Sequence, residues 1–92
     1  MVYIEGLAWD EDAEDHIARH GVTPEEVEQA TGRILYSKVV ADGRLAIVGQ
    51  TAAGRYLAVF LDDEGEGYWY PVTARTAEAS ERRLAQRKPK GR

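Results

Sequence analysis

Four short runs constrain this chain more than any other feature: RILYSKVVA from Arg33, RLAIVGQ from Arg44, RYLAVFLD from Arg55 and YWYPVTA from Tyr68. Each is rich in β-branched and aromatic residues, and each is bounded by turn signals. Asp42-Gly43, residues 51–54 and residues 63–67 separate them. Connections this short join antiparallel neighbours, because a parallel crossover needs a dozen or more residues. The pattern therefore predicts a four-stranded antiparallel meander. Pro71 has no N–H for a ladder, so the fourth strand is expected at an edge or at a bulge.

Either side of these runs the pattern is helical. Asp10 is a good N-cap, with acids in the first turn where the helix dipole favours them. Gly21 stands where a left-handed closing residue is wanted, which predicts a first helix over 11–20. Thr23, Pro24 and Glu26 then form a capping box with proline in its permitted slot, and Gly32 closes the second helix. Two helices joined this closely make an αα-hairpin. Thr76 is expected to cap a third helix over 77–88, with Glu78 and Arg82 at the favourable i,i+4 spacing. The order ααββββα predicts an α+β fold, a single domain over 1–88 followed by a disordered basic tail over 89–92.

Composition narrows the function classes. The 92 residues suffice for one modest core, and with no cysteine a disulfide framework and a thiolate zinc site are excluded. No run is apolar enough to span a membrane, and the start MVYIEGLAWDED lacks the form of a secretory signal, so a cytoplasmic protein is expected. The formal net charge of −4 hides an asymmetry. Residues 1–30 carry nine acids against Arg19 alone, whereas Arg75, Arg82, Arg83, Arg87, Lys88, Lys90 and Arg92 outweigh Glu78 and Glu81 at the other end. A basic region of this kind can meet an anion, although a solvated helix with a frayed tail gives the same composition.

Both histidines, His16 and His20, fall in the acidic stretch. At 100° per residue they share a face with Ala13 and Ile17 that is expected to pack toward the sheet, while Arg19 points toward Asp12 and Asp15. The bland reading is a helix ending whose imidazoles meet the C-terminal dipole or a backbone carbonyl. Two histidines at i,i+4 also have zinc spacing, but no motif supplies a third ligand, so no metal site and no cofactor are expected. The meander supplies a second clue. Arg33 opens the first strand, Arg55 opens the third and Arg75 closes the fourth, so all three gather at one end of the sheet, with Arg44 at the other. With the start of the third helix they form an anion site suited to phosphate, unless they are simply solubilising residues flanking strands.

LAWDEDAEDHIARHGVTPEEVEQA, GRYLAVFLDD and YWYPVTARTAEASERR, in this order and spacing, resemble the BrnT-like toxins of bacterial toxin–antitoxin pairs. Trp9-Asp10, the run Arg19-His20-Gly21-Val22, Gly54-Arg55 and Thr73-Ala74-Arg75 carry most of the resemblance. It implies a RelE-like fold, metal-independent cleavage of RNA, and a cognate antitoxin encoded nearby that covers the active surface. The chain has Ala13, His16 and Arg19 where such toxins usually have Lys, Asn and Lys. Cleavage by attack of a ribose 2′-hydroxyl needs a base, an acid and cationic stabilisation. His20 is the expected acid or base, Arg55 and Arg75 the expected charge stabilisers, and Tyr70 a stacking or proton-donating residue. Arg33, His16, Arg82 and Arg83 are the expected substrate contacts. A non-catalytic module binding protein or RNA is the alternative, which the acidic first half favours. Self-association is left open, with apolar surface expected on an exposed fourth strand and on the third helix.

Overall fold

The computed structural model describes residues 3–87. The elements in chain order are β1 (Gly6–Leu7), α1 (Glu11–Ala18), α2 (Pro24–Thr31), β2 (Ile34–Ala41), β3 (Arg44–Gln50), β4 (Tyr56–Gly65), β5 (Tyr68–Thr76) and α3 (Ala79–Gln86). The meander β2–β3–β4–β5 is present as read. One strand was not anticipated: β1 pairs in parallel with the start of β5, giving a five-stranded mixed sheet of order β1-β5-β4-β3-β2. Two residues of strand carry no periodicity, so no sequence pattern announces β1. β1 covers β5 only at Tyr68 and Trp69, so the edge is protected at its start alone. Pro71 sits at a bulge, where the register slips between Leu61–Pro71 and Phe60–Thr73.

The helical hairpin follows its caps. Asp10 accepts from the Ala13 N–H at 2.8 Å, and Thr23 and Glu26 close a reciprocal capping box. α1 is shorter than expected, ending at Ala18, with a turn through Gly21 in the left-handed region at φ +70°. The third helix is shorter as well. Its N-cap is Glu78 rather than Thr76, because Thr76 still belongs to β5 and the Ala77 N–H donates to the Tyr56 carbonyl. Residues 88–92, which include the expected tail, lie outside the described residues.

Alternation along the strands sorts the sheet into two faces. On one face Leu45, Ile47, Leu57, Val59, Leu61 and Ala74 meet Ile17, Val22, Val27 and Ala30 of the hairpin, forming the core. Gly49 permits the closest approach, since a Cβ there would lie 2.1 Å from the Ala30 carbonyl oxygen. The opposite face carries Ala46, Val48, Ala58 and Phe60, with α3 lying over β2 and β3. None of the described helices is long and apolar enough to cross a membrane.

Candidate functional site

The meander brings Arg33, Arg55 and Arg75 to one end of the sheet, as the strand directions require. The Gln50 N–H donates to the Arg33 carbonyl, Gln50 pairs with Tyr56 beside Arg55, and Leu57 pairs with Thr76 beside Arg75. Arg44 lies at the far end, bound to Asp62 at 2.6 Å. The three guanidinium groups do not converge on one free anion site, however.

Arg55 turns toward the helical hairpin. One terminal nitrogen donates to the Gly21 carbonyl at 3.0 Å and to both Glu26 carboxylate oxygens at 3.1 Å, while the other donates to Thr76 Oγ1 at 2.8 Å. It therefore ties the α1–α2 turn to the start of β4 and the end of β5. The Thr23 N–H and, secondarily, Arg55 hold the Glu26 carboxyl below the usual carboxylate range.

Arg75 turns to the opposite face, where its guanidinium lies 5.7 Å from the Phe60 ring centroid. It forms a fork with Glu81 at 2.8 and 2.9 Å. The same Glu81 oxygen accepts from the Glu78 N–H at 2.8 Å, at the start of α3. The anticipated pairing of an arginine with a helix N-terminus is thus present, but the chain's own carboxylate lies between them. These hydrogen bonds, above all that from Arg75, hold the Glu81 carboxyl below the usual range, and Arg75 is shifted up in return.

The histidines correct the helix-face reading. Ala13 and Ile17 are buried, yet His16 and His20 are both exposed, their rings 5.9 Å apart and tilted by 49°. The apolar stripe of α1 is only as wide as two small-to-medium residues, and the flanking imidazoles fall on its solvent side. Arg19 is exposed, and among the described residues it forms no ion pair with Asp12 or Asp15, toward which it was expected to point. His20 nevertheless lies beside the arginine end, because Arg55 grips the carbonyl of the next residue, Gly21.

Tyr70 is not part of that cluster. Its hydroxyl donates to Asp10 at 2.9 Å, which pushes the phenol pKa up. Asp10 precedes α1, ten positions before His20, a helical rise of about 15 Å. Tyr70 also stands five positions before Arg75 along β5, about 16 Å away. The fourth strand runs from the Arg44 end to the Arg75 end, so strand direction alone could have located it. Arg82 and Arg83 are exposed on α3; Arg82 donates to the Ala77 carbonyl at 3.3 Å instead of pairing with Glu78. Sequence reasoning read Glu26 only as a capping-box residue and missed its hold on Arg55, and it missed the role of Glu81 altogether. Both stand at the third position of a helix, where a carboxylate reaching back to the cap was a readable signal.

The helical hairpin, the five-stranded sheet and the C-terminal helix together make the α+β fold of the BrnT-like toxins. One solved structure with this fold is the 1.1 Å crystal structure of the Brucella abortus ribonuclease toxin BrnT. It is 24% identical to this chain and matches 79% of it and 96% of the toxin, with a TM-score of 0.62. No protein-family model matches the chain, and no curated protein sequence does.

Proposed function

We propose that this chain is a metal-independent RNA endonuclease acting as the toxin of a toxin–antitoxin pair. The observation that carries the reading is the placement of His20 beside an arginine-bearing sheet end, on the fold of a ribonuclease toxin. In the proposed reaction His20 takes the proton of a ribose 2′-hydroxyl, whose oxygen attacks the adjacent phosphorus. The 5′-oxygen leaves with a proton returned by an acid, giving a cyclic phosphate and a free 5′-hydroxyl. His16, one turn back, supplies a second imidazole within reach. Tyr70 is too distant to share that step and serves instead as the tie between β5 and α1.

Arg33, Arg82 and Arg83 are exposed and suited to holding phosphates, whereas Arg55 acts chiefly as a bolt through Gly21, Glu26 and Thr76. Arg75 keeps its Nε–H and one terminal N–H outside the Glu81 fork, so it can still donate to a phosphate oxygen. A cognate antitoxin from an adjacent gene, acting in the cytoplasm, completes the reading. The test is RNA cleavage by purified protein in excess EDTA, alongside His20→Ala and Arg33→Ala. Strong loss in the His20 variant supports the reading. Equal decay with all three proteins refutes it.

A second reading, a non-catalytic binding module, is favoured by one observation: Arg55 and Arg75 are each occupied by a carboxylate. It predicts a stable complex with the neighbouring gene product, without growth arrest when this chain is expressed alone.

A further inference from the structure

We propose that His16 and His20 form a chelating site for one divalent transition cation of the zinc and copper class. The two imidazoles stand four residues apart on a helical turn, the spacing at which one face presents two nitrogen ligands to a single ion. α1 ends at Ala18, and the chain continues to His20 as a tightened turn: Arg19 keeps φ −63° and ψ −22°, and the His20 N–H donates three residues back, to the Ile17 carbonyl, at 3.0 Å.

The ring spacing fits the ion. With metal–nitrogen bonds of about 2.0–2.1 Å and a tetrahedral angle, two ligating imidazole centroids stand about 5 Å apart. The observed separation is 5.9 Å, so a small side-chain rotation closes the bite. Both rings are exposed and neither forms a side-chain hydrogen bond among the described residues, so no existing contact must be broken. Asp12 and Asp15 on the same helix give the surroundings a negative potential that favours a cation. No third histidine, cysteine, aspartate or glutamate closes the site among the described residues. Water therefore completes the coordination, and the cation exchanges rather than acting as a structural staple.

This inference concerns binding and stands apart from the ribonuclease reading. Its consequence for that reading is inhibition, since the cation would occupy the His20 nitrogen. The chain has only two histidines, which makes the test direct. Zinc chloride is added to the full chain while the imidazole proton resonances are followed by NMR. Both histidines should move together and saturate near one equivalent of zinc. In His20→Gln, the His16 resonances should need at least tenfold more zinc, and His16→Gln should have the reciprocal effect. The exposed positions leave the fold intact, which the unfolding midpoints of the variants would verify. Independent titration of the two rings would overturn the proposal, as would an unchanged zinc response of His16 when His20 is replaced.

Discussion

Glu81 offers the sharpest test of how this structure is held, because one carboxylate serves two otherwise unrelated groups. Its oxygens accept from both terminal nitrogens of Arg75 and from the Glu78 N–H. Replacing Glu81 with alanine removes a helix-cap acceptor, worth about 1 kcal/mol. It also removes a forked, partly buried ion pair, worth about 1 kcal/mol more. The side chains of Arg75 and Glu81 are 31% and 23% exposed, so solvent screens the pair only in part. The expected total is about 2 kcal/mol, or roughly 8–16 °C in unfolding midpoint for a domain of this size. Urea unfolding of the two proteins measures it. The folded-state pKa of Glu81 is depressed, so its contribution is fully present above the ordinary carboxylate value of about 4.3 and is lost as the pH falls through the lower folded value. The difference between wild type and Glu81→Ala should therefore be complete at neutral pH and shrink below about pH 4. A loss under about 0.5 kcal/mol at neutral pH would refute the reasoning, showing that water replaces the carboxylate at both groups.

Other expectations rest on single contacts. Gly49→Ala drives a Cβ into the Ala30 carbonyl, which belongs to the backbone of α2 and cannot rotate away; a cost of about 3 kcal/mol is expected in urea unfolding. Arg55→Ala leaves the Glu26 carboxylate without its guanidinium partner and should cost about 2 kcal/mol, with Arg55→Lys restoring only part because one ammonium cannot serve Glu26 and Thr76 from two separate nitrogens. His20→Gln should change stability by at most about 1 kcal/mol yet lower RNA cleavage by about two orders of magnitude or more. Arg19→Ala, at an exposed position without an ion pair, should change neither cleavage nor midpoint.

The features legible in the sequence were those set by local chemistry. The capping box at Thr23, the left-handed Gly21 and the two-residue turn at Asp42-Gly43 are each imposed by two or three adjacent residues, and each is found in place. The grouping of Arg33, Arg55 and Arg75 at one sheet end follows from hairpin connections alone. What escaped depends on contacts distant in sequence. β1 is a strand only because β5 is there to pair with it. The exposure of His16 and His20 depends on how α1 rolls over β5, where Ala13 and Ile17 suffice to fill the contact. The direction of each arginine is chosen by a carboxylate on another element, Glu26 for Arg55 and Glu81 for Arg75. A guanidinium at a strand end has several directions open to it, and periodicity does not rank them.

That division of the arginines has a consequence for RNA affinity. Three of them are paired within the chain: Arg44 with Asp62, Arg55 with Glu26 and Arg75 with Glu81. Arg19, Arg33, Arg82, Arg83 and Arg87 are exposed and in no ion pair among the described residues, and of these Arg33, Arg82 and Arg83 are the proposed phosphate contacts. Only a cation that neutralises a phosphate releases a counterion, and a paired guanidinium has already been neutralised. Binding of single-stranded RNA should therefore weaken with salt at a logarithmic slope near −2, from three phosphates at about 0.7 each. Replacing Arg33, Arg82 or Arg83 with alanine should flatten that slope by about 0.7. Glu81→Gln should instead steepen it, because the charge of Arg75 is then released to the ligand. Fluorescence anisotropy with a labelled single-stranded RNA across a salt series measures each slope. A slope that Arg33, Arg82 and Arg83 leave unchanged, but that Arg44→Ala flattens, would place the phosphate track at the opposite end of the sheet.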